Sequence, residues 1–259
     1  PGLSVTIITL NESANIAAVL ESVAWADDVV VVDATSTDDT VAIARRYTDR
    51  VMVRDWPGFI QQKNFAAAEA RHDWILSVDA DERVTPQLAE EIRRVLATEP
   101  HDAGYRVPRL THYLGQWIRS TDWYPDYQLR LYDRRRARWT GRYVHESVQA
   151  DGAVGRLKAD LHHYSYRDVS HHLRTIDRYS SLAARQMFED GRRAGIVNVA
   201  VNPAVAFLRN YFARRGFRDG GVGLIVSLLN SYYVLAKWVK LWELQRSQES
   251  GARRHHVER

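Results

Sequence analysis

The sequence predicts an α/β fold: a mainly parallel sheet with helices on both faces, followed by a helical C-terminal extension. Three observations lead there. Apolar, β-branched runs alternate with helix-period segments four times in the first 100 residues. Those runs are continuous rather than alternating, as in strands buried on both faces of a parallel sheet. After about residue 103 the rhythm changes to aromatic- and Arg-rich strands and turns, and from about residue 168 to long helical stretches.

The elements follow in order. "LSVTIITL" (3–10) reads as a buried first strand. In "NESANIAAVLESVA", Asn11 or Ser13 is a candidate cap for a helix whose Ile16, Val19, Leu20 and Val23 share a face. "DDVVVVDAT" is a second strand, and "STDDTVAIARRY" a second helix with Ser36 or Thr37 at its start. "RVMVRD", "FIQQKNFAAAEA" and "HDWILSVDADE" give strand, helix, strand. "TPQLAEEIRRVLATE" is a helix with Thr85 as N-cap and Pro86 in the first turn, where its missing N–H costs nothing. "AGYRVPRLTHYLGQWI" and "DYQLRLYDRRRARWTGRYVHESVQ" read as strands and turns, and "VGRLKADLHHYSY" as a strand entering a loop. Three helical stretches follow from 168, and the last nine residues read as a frayed polar tail.

Composition narrows the function. The chain has 259 residues, 45% hydrophobic and 26% charged, and no cysteine, which excludes a disulfide framework and thiolate metal sites. No basic region precedes the first apolar run, so it reads as a strand rather than a signal peptide, and the absent initiator Met reads as a processed start. Net charge is +4 but polarised: residues 1–100 hold nine Lys/Arg against 17 Asp/Glu, and the remainder 27 against 15. A basic back half fits an anionic partner. The cations there interleave with a 17-residue uncharged run, 220–236, which favours lipid over nucleic acid. Leu224, Leu228, Leu235, Val239 and Trp242 fall near one helical face, as in an interfacial helix. "TLNESAN" carries no glycine after the first strand, which excludes a G-x-G-x-x-G dinucleotide site. No Gly-rich activating loop of a nucleotidyltransferase is present either.

The chemistry concentrates at the carboxyl ends of predicted strands, where open parallel sheets bind ligands. Asp33 ends the second, where it can accept hydrogen bonds from a base or ribose; Asp79 ends the fourth, with Asp81 and Glu82 just beyond. Two carboxylates at i and i+2 can present oxygens to one hard cation such as Mg²⁺ or Mn²⁺. His145 with Glu146, and His163, stand at later strand ends as further candidates, His145 being favoured.

Three blocks, "VTIITLNESANIAAVLESV", "VVVVDATSTDDT" and "QQKNFAAAEARHDWILSVDADE", resemble in order and spacing the nucleotide-sugar half of family 2 glycosyltransferases of GT-A fold. "WYPDYQLRLYDRRRARWTGRYVHESV", "LHHYSY" and "FLRNYFARRGFRDGGVGL" are similar to the lipopolysaccharide core glucosyltransferase branch. The resemblance implies that Thr9, Asn11, Glu12 and Asp33 lie near the base and ribose, with Lys63, Asn64 and Arg130 near the rest of the donor. It implies Asp79 and Asp81 as a D-x-D pair holding a divalent cation on the diphosphate, with His145, or its rival His163, as a further contact. Asp126, placed by the resemblance ahead of a leucine-and-arginine helix, would be the catalytic base, with Asp122 as alternative; Arg130, one turn on, would pair with Asp126 or with the diphosphate. Glu82, Trp123 and Glu146 would line the acceptor side. The family's second strand often ends in two acidic residues, whereas here Ala34 follows Asp33.

These expectations divide the chain into a catalytic domain, 1–165 (donor half 1–100, acceptor half 101–165), and a helical extension, 166–259. The implied activity is inverting transfer of a hexose, with UDP-glucose favoured by resemblance, to a lipid-linked saccharide of the lipopolysaccharide inner core. The implied location is peripheral, on the cytoplasmic face of a bacterial inner membrane. The alternatives are a family 2 enzyme for another acceptor and a non-catalytic sugar-nucleotide-binding membrane module.

Overall fold

The structure, a computed structural model, describes residues 1–141 and 146–257, with the side chains of 249–257 outside the description. In chain order the elements are β1 (Leu3–Thr9), α1 (Ile16–Val23), β2 (Asp28–Asp33), α2 (Thr40–Ala44), β3 (Val51–Val53), α3 (Phe59–Ala68) and β4 (Trp74–Asp79). Next come β5 (Glu82–Val84), α4 (Pro86–Ala97), β6 (Gly104–Tyr113), β7 (Gln116–Ile118), β8 (Asp126–Asp133), β9 (Ala137–Thr140), β10 (Ser147–Ala150), β11 (Val154–Arg156) and β12 (Leu161–His163). Helices α5 (Val169–Glu189), α6 (Ile196–Leu208) and α7 (Gly220–Val257) complete the chain. Two compact units form: Pro1–His112 with Tyr124–Ser165, and Tyr113–Trp123 with Tyr166–Arg259.

The first unit is built on one sheet, in the order β3-β2-β1-β4-β8-β6-β12-β5. Its first four strands are parallel, and β8 runs antiparallel to both β4 and β6. The parallel strands are apolar on both faces because helices cover both: Val5, Ile7, Val30, Val31 and Val32 are fully buried. The predicted inner face of α1, Ile16, Val19, Leu20 and Val23, lies in the same core as β1 and α4. Each such side chain contributes about 1.5–3 kcal/mol by leaving water. Thr85 caps α4 as its sequence predicts, its Oγ1 accepting from Leu88 N at 3.1 Å.

Three expectations change. Neither Asn11 nor Ser13 caps α1. Asn11 sits at φ 55° in a turn, where its Oδ1 accepts from Thr37 N, and the helix begins only at Ile16. The second helix shrinks to Thr40–Ala44, because Ser36 and Asp38 serve the β2–α2 turn instead. At the other end, α7 runs through Val257, so the polar tail continues the helix.

In the second unit, buried Asn210 is the hub. Its Oδ1 accepts from Asp122 N (2.8 Å) and Asn230 Nδ2 (3.1 Å), and its Nδ2 donates to Asp122 Oδ2 (3.1 Å) and to Ala206 O (2.9 Å). Gly216 and Gly223 make α7 possible at this junction, since a Cβ on Gly223 would stand 1.9 Å from the Gly216 carbonyl oxygen. Lys240, which interrupts the apolar run of α7, donates to Asp177, Ser180 and Ser181 of α5. His172 is buried beside Tyr113, its Nδ1 2.9 Å from the hydroxyl, and stacks on Tyr166 with ring centroids 4.0 Å apart. Burial, and secondarily the nearby His171, pull the His172 imidazole down to about 4.

Two outcomes follow. Gly223→Ala should lose about 1–3 kcal/mol to overpacking. Gly221→Ala, which meets no atom within 4 Å, should be neutral or slightly stabilising; urea titrations check both. His172 stays neutral in the fold, so its contribution is complete above the unfolded value near 6.5. It is lost as pH falls from there to about 4. Thermal melts across that window should show a shallower acid decline for His172→Phe than for the parent chain.

Candidate active site

The turn between β4 and β5 gathers the acidic residues, and a buried carboxylate closes it. Glu82 is 0% exposed. Its Oε2 accepts from the backbone N–H of Asp79 at 2.9 Å, and its Oε1 accepts from Arg130 Nη2 at 2.7 Å and lies 3.5 Å from Arg109 Nη1. Asp79 is held twice, by Arg130 Nη2 at 2.5 Å on Oδ2 and by Lys63 Nζ at 2.9 Å on Oδ1. Burial pushes the Asp79 carboxyl up, but the charges of Arg130 and Lys63 outweigh it and hold the group well below the usual carboxylate range. The same balance acts on Arg130: burial opposes its charge, and Asp79 and Glu82 hold it charged with a raised pKa. Two further Arg130 donors, Nε and Nη1, are buried without a hydrogen-bond partner among the described residues. Lys63 also lies over the Trp139 ring, 4.1 Å from its centroid.

Asp126 and Gln128 share one face of β8, and a register shift against Tyr105 and Arg106 of β6 falls at Arg130, which does not continue that alternation. Asp126 stands directly opposite Arg109 of β6 in the antiparallel register. Arg109 donates to Asp126 Oδ2 from Nε (2.9 Å) and Nη2 (2.6 Å), and Gln128 Nε2 donates to Oδ1 at 2.6 Å. Burial works against the Arg109 charge, and Glu82 and Asp126 raise its pKa. Ion pairs thus run without a break from Lys63 through Asp79, Arg130, Glu82 and Arg109 to Asp126.

This corrects one of the two pairings expected for Arg130, the one with Asp126. On a helix, i and i+4 are neighbours; on a strand they lie about 13 Å apart. The segment is a strand, so Arg130 reaches Asp79 and Glu82, and Arg109 takes the place beside Asp126. Sequence reasoning missed Arg109. The available signal was an arginine in the otherwise apolar run "VPRL", which needs a buried anion.

Asp81 faces a different partner. Its Oδ2 lies 3.3 Å from His163 Nε2, at the end of β12, whose His163 pairs with Glu82 across the strands. Burial raises the Asp81 carboxyl, and the hydrogen bond and charge of His163 bring it below its ordinary value. Thr111 Oγ1 stands 3.3 Å from His163 Nδ1 and fixes the ring from its other side. Among the described residues no cluster of three or more His, Asp or Glu side chains forms a ready metal cage. Asp81 and His163 nevertheless fit a divalent cation that takes its other ligands from a diphosphate and water. Asp79, with both oxygens occupied by cationic side chains, does not fit that role as it stands.

The remaining candidates scatter. Asp33 is buried and fully engaged, accepting from Thr9 Oγ1 (2.8 Å) and from Ser36 N (2.7 Å), so it organises the β2 loop. Asn11 and Glu12 lie on the neighbouring turn, where the Glu12 amide donates to Thr40 Oγ1. Asn64 turns toward β9, exchanging hydrogen bonds with both backbone groups of Trp139 at 2.9 and 3.0 Å; it ties α3 to β9. Trp123 belongs to the second unit, packed on Tyr113 and Tyr166 with Nε1 donating to Asn230. Asp122 is ion-paired with Arg209 and Arg214. Glu82 is enclosed by arginines rather than open to an acceptor. His145 lies outside the described residues. Glu146 precedes β10, its Oε2 buried and without a hydrogen-bond partner among the described residues.

A strand order 3-2-1-4 extended by antiparallel strands, with acidic side chains at the end of the fourth, defines a GT-A-type glycosyltransferase. The family model for glycosyl transferase family 2 matches residues 4–158. The chain is 31% identical over 248 residues to the lipopolysaccharide core biosynthesis glycosyltransferase LpsC of Rhizobium meliloti, covering 93% of this chain and 92% of that one. It is 32% identical over 255 residues to an uncharacterised glycosyltransferase of Rickettsia typhi, covering 93% and 87%. Among solved structures, the mannosyltransferase PcManGT from Pyrobaculum calidifontis, in complex with GDP-Man and Mn²⁺, shares the fold with a TM-score of 0.57 at 15% identity, covering 93% of this chain and 87% of that one. The chain belongs to glycosyltransferase family 2.

Removing Arg130 should expose the dependence of the site on that buried guanidinium. Arg130→Met leaves two adjacent carboxylates without their shared cation and should cost about 3–5 kcal/mol in urea unfolding. Adding Glu82→Gln to it should recover part of that loss, since one of the stranded charges is then gone.

Proposed function

We propose that the chain is an inverting, divalent-cation-dependent glycosyltransferase that moves a hexose from a nucleotide sugar to a lipid-linked saccharide. The favoured pair is UDP-glucose and the lipopolysaccharide inner core, at the cytoplasmic face of the inner membrane. The observation that carries the chemistry is the Asp126 carboxylate, part-exposed and held in one orientation by Arg109 and Gln128. The acceptor hydroxyl oxygen attacks the anomeric carbon, the bond from that carbon to the diphosphate breaks, and the hydroxyl proton passes to Asp126. Arg109 keeps that carboxylate aimed, and Glu82 keeps Arg109 in place. On the donor side, Asp33 orders the β2 loop, and Thr9, Asn11 and Glu12 form the turn facing it. Asp81 and His163 are the residues to hold the cation, which when bound would offset the charge growing on the leaving diphosphate. Support for a nucleotide sugar and a divalent ion comes from PcManGT, and for the acceptor class from LpsC.

Asp126→Asn should lower transfer by about 10²–10⁴-fold while thermal stabilisation by the donor in Mn²⁺ stays as in the parent chain. A panel of UDP- and GDP-sugars read by that stabilisation assigns the donor. Unchanged transfer by the Asn variant would remove Asp126 as the base.

A further inference from the structure

The 28 residues between Asp190 and Asp219 contain no acidic side chain and six arginines, Arg192, Arg193, Arg209, Arg214, Arg215 and Arg218. Within them, Val197, Val201, Val205, Leu208 and Phe212 recur at intervals of three or four and form one stripe along α6 and the π-helical turn (Arg209–Ala213) that extends it. The stripe is open: Val197 is 66% exposed, Val205 54%, Leu208 53% and Phe212 56%. The opposite face of α6, with Pro203, Ala206 and Asn210, is buried and hydrogen-bonded to α7 through Ser231 Oγ to Pro203 O (2.7 Å) and Asn230 to Asn210.

We propose that this outer face of α6 and the turns after it, residues 196–218, is a docking surface for an anionic lipid bilayer. The inference rests on the lipid-linked acceptor of the proposed function and locates the contact that reading requires. The sequence pointed instead to α7, and by length and composition Gly216–Gln248 is apolar enough to cross a membrane. Helix α7 also keeps apolar side chains exposed, Leu228 and Trp242 among them, while its inner contacts hold it to its neighbours. It is bonded on one side to α6 and on another to α5 through Lys240, whose ammonium group meets Asp177, Ser180 and Ser181.

Charge selects the occupant. Arg209 and Arg214 lean toward Asp122, while Arg215 and Arg218 are exposed at the end of the stripe; the only nearby acid in sequence, Asp219, is taken by Ser120 Oγ and the Arg119 amide. A second copy of this chain would bring like charges together across a two-fold interface. Anionic headgroups meet those arginines while the valines, Leu208 and Phe212 enter the acyl boundary, the arrangement of an interfacial amphipathic helix.

Co-sedimentation of the full chain with phosphatidylcholine vesicles, with and without phosphatidylglycerol, tests this independently of transfer. The parent chain should bind the anionic vesicles and release at high salt. Leu208→Glu with Phe212→Glu should weaken binding about tenfold or more. Arg215→Gln with Arg218→Gln should weaken it about fivefold per arginine, on anionic vesicles only. In Phe212→Trp, brominated acyl chains should quench the added indole, a readout that needs no destabilising change. The proposal is overturned if the parent chain ignores anionic vesicles, if the Glu pair binds as the parent does, if Leu228→Glu with Val239→Glu on α7 alone abolishes binding, or if the Glu pair instead dissociates a dimer. Sugar-nucleotide hydrolysis measured on the same samples reports separately on the transferase reading.

Discussion

The Arg130 guanidinium, buried between Asp79 and Glu82, is the interaction on which the rest of the catalytic unit depends. A lone carboxylate at that depth would be protonated or would unfold the turn, because desolvation costs several kcal/mol per ion. Arg130 removes that penalty for two carboxylates at once, and Lys63 completes the neutralisation. The turn after β4 can therefore keep a dense acidic sequence in the protein interior.

From that pairing the geometry propagates through strand order. Inserting β8 antiparallel between β4 and β6 puts Arg130 against the end of β4 and Asp126 across from Arg109. Glu82 then touches both arginines, so one buried carboxylate links the donor-side turn to the candidate base. The network also separates the two aspartates of the D-x-D. Asp79 is consumed by cationic side chains, while Asp81, two residues on, points to His163 and remains the oxygen available to a ligand.

The second unit solves a different problem with the same economy. Asn210 satisfies four partners in a place where an apolar side chain would orphan the Asp122 amide, and two glycines let the start of α7 approach the preceding turn closely. The result is a helical unit whose inner polar contacts are filled and whose α6 face is left apolar and cationic.

The amino-acid sequence by itself determined the α/β class, the parallel half of the sheet, the inner face of α1 and the Thr85 cap, because each is written in local periodicity or capping chemistry. It also placed Asp33, Asp79 and Asp81 at strand ends, since a strand's end can be read from where its apolar run stops. It did not determine partners. Whether Arg130 meets Asp126 or Asp79 depends on whether residues 126–133 rise 1.5 or 3.3 Å per residue, and on which strands flank them. Arg109, Lys63 and Glu82 acquire their roles only when β6, α3 and β5 converge on that point. The same holds for α6 and α7: both are apolar in sequence, and only packing decides which face is covered and which is left to meet another surface.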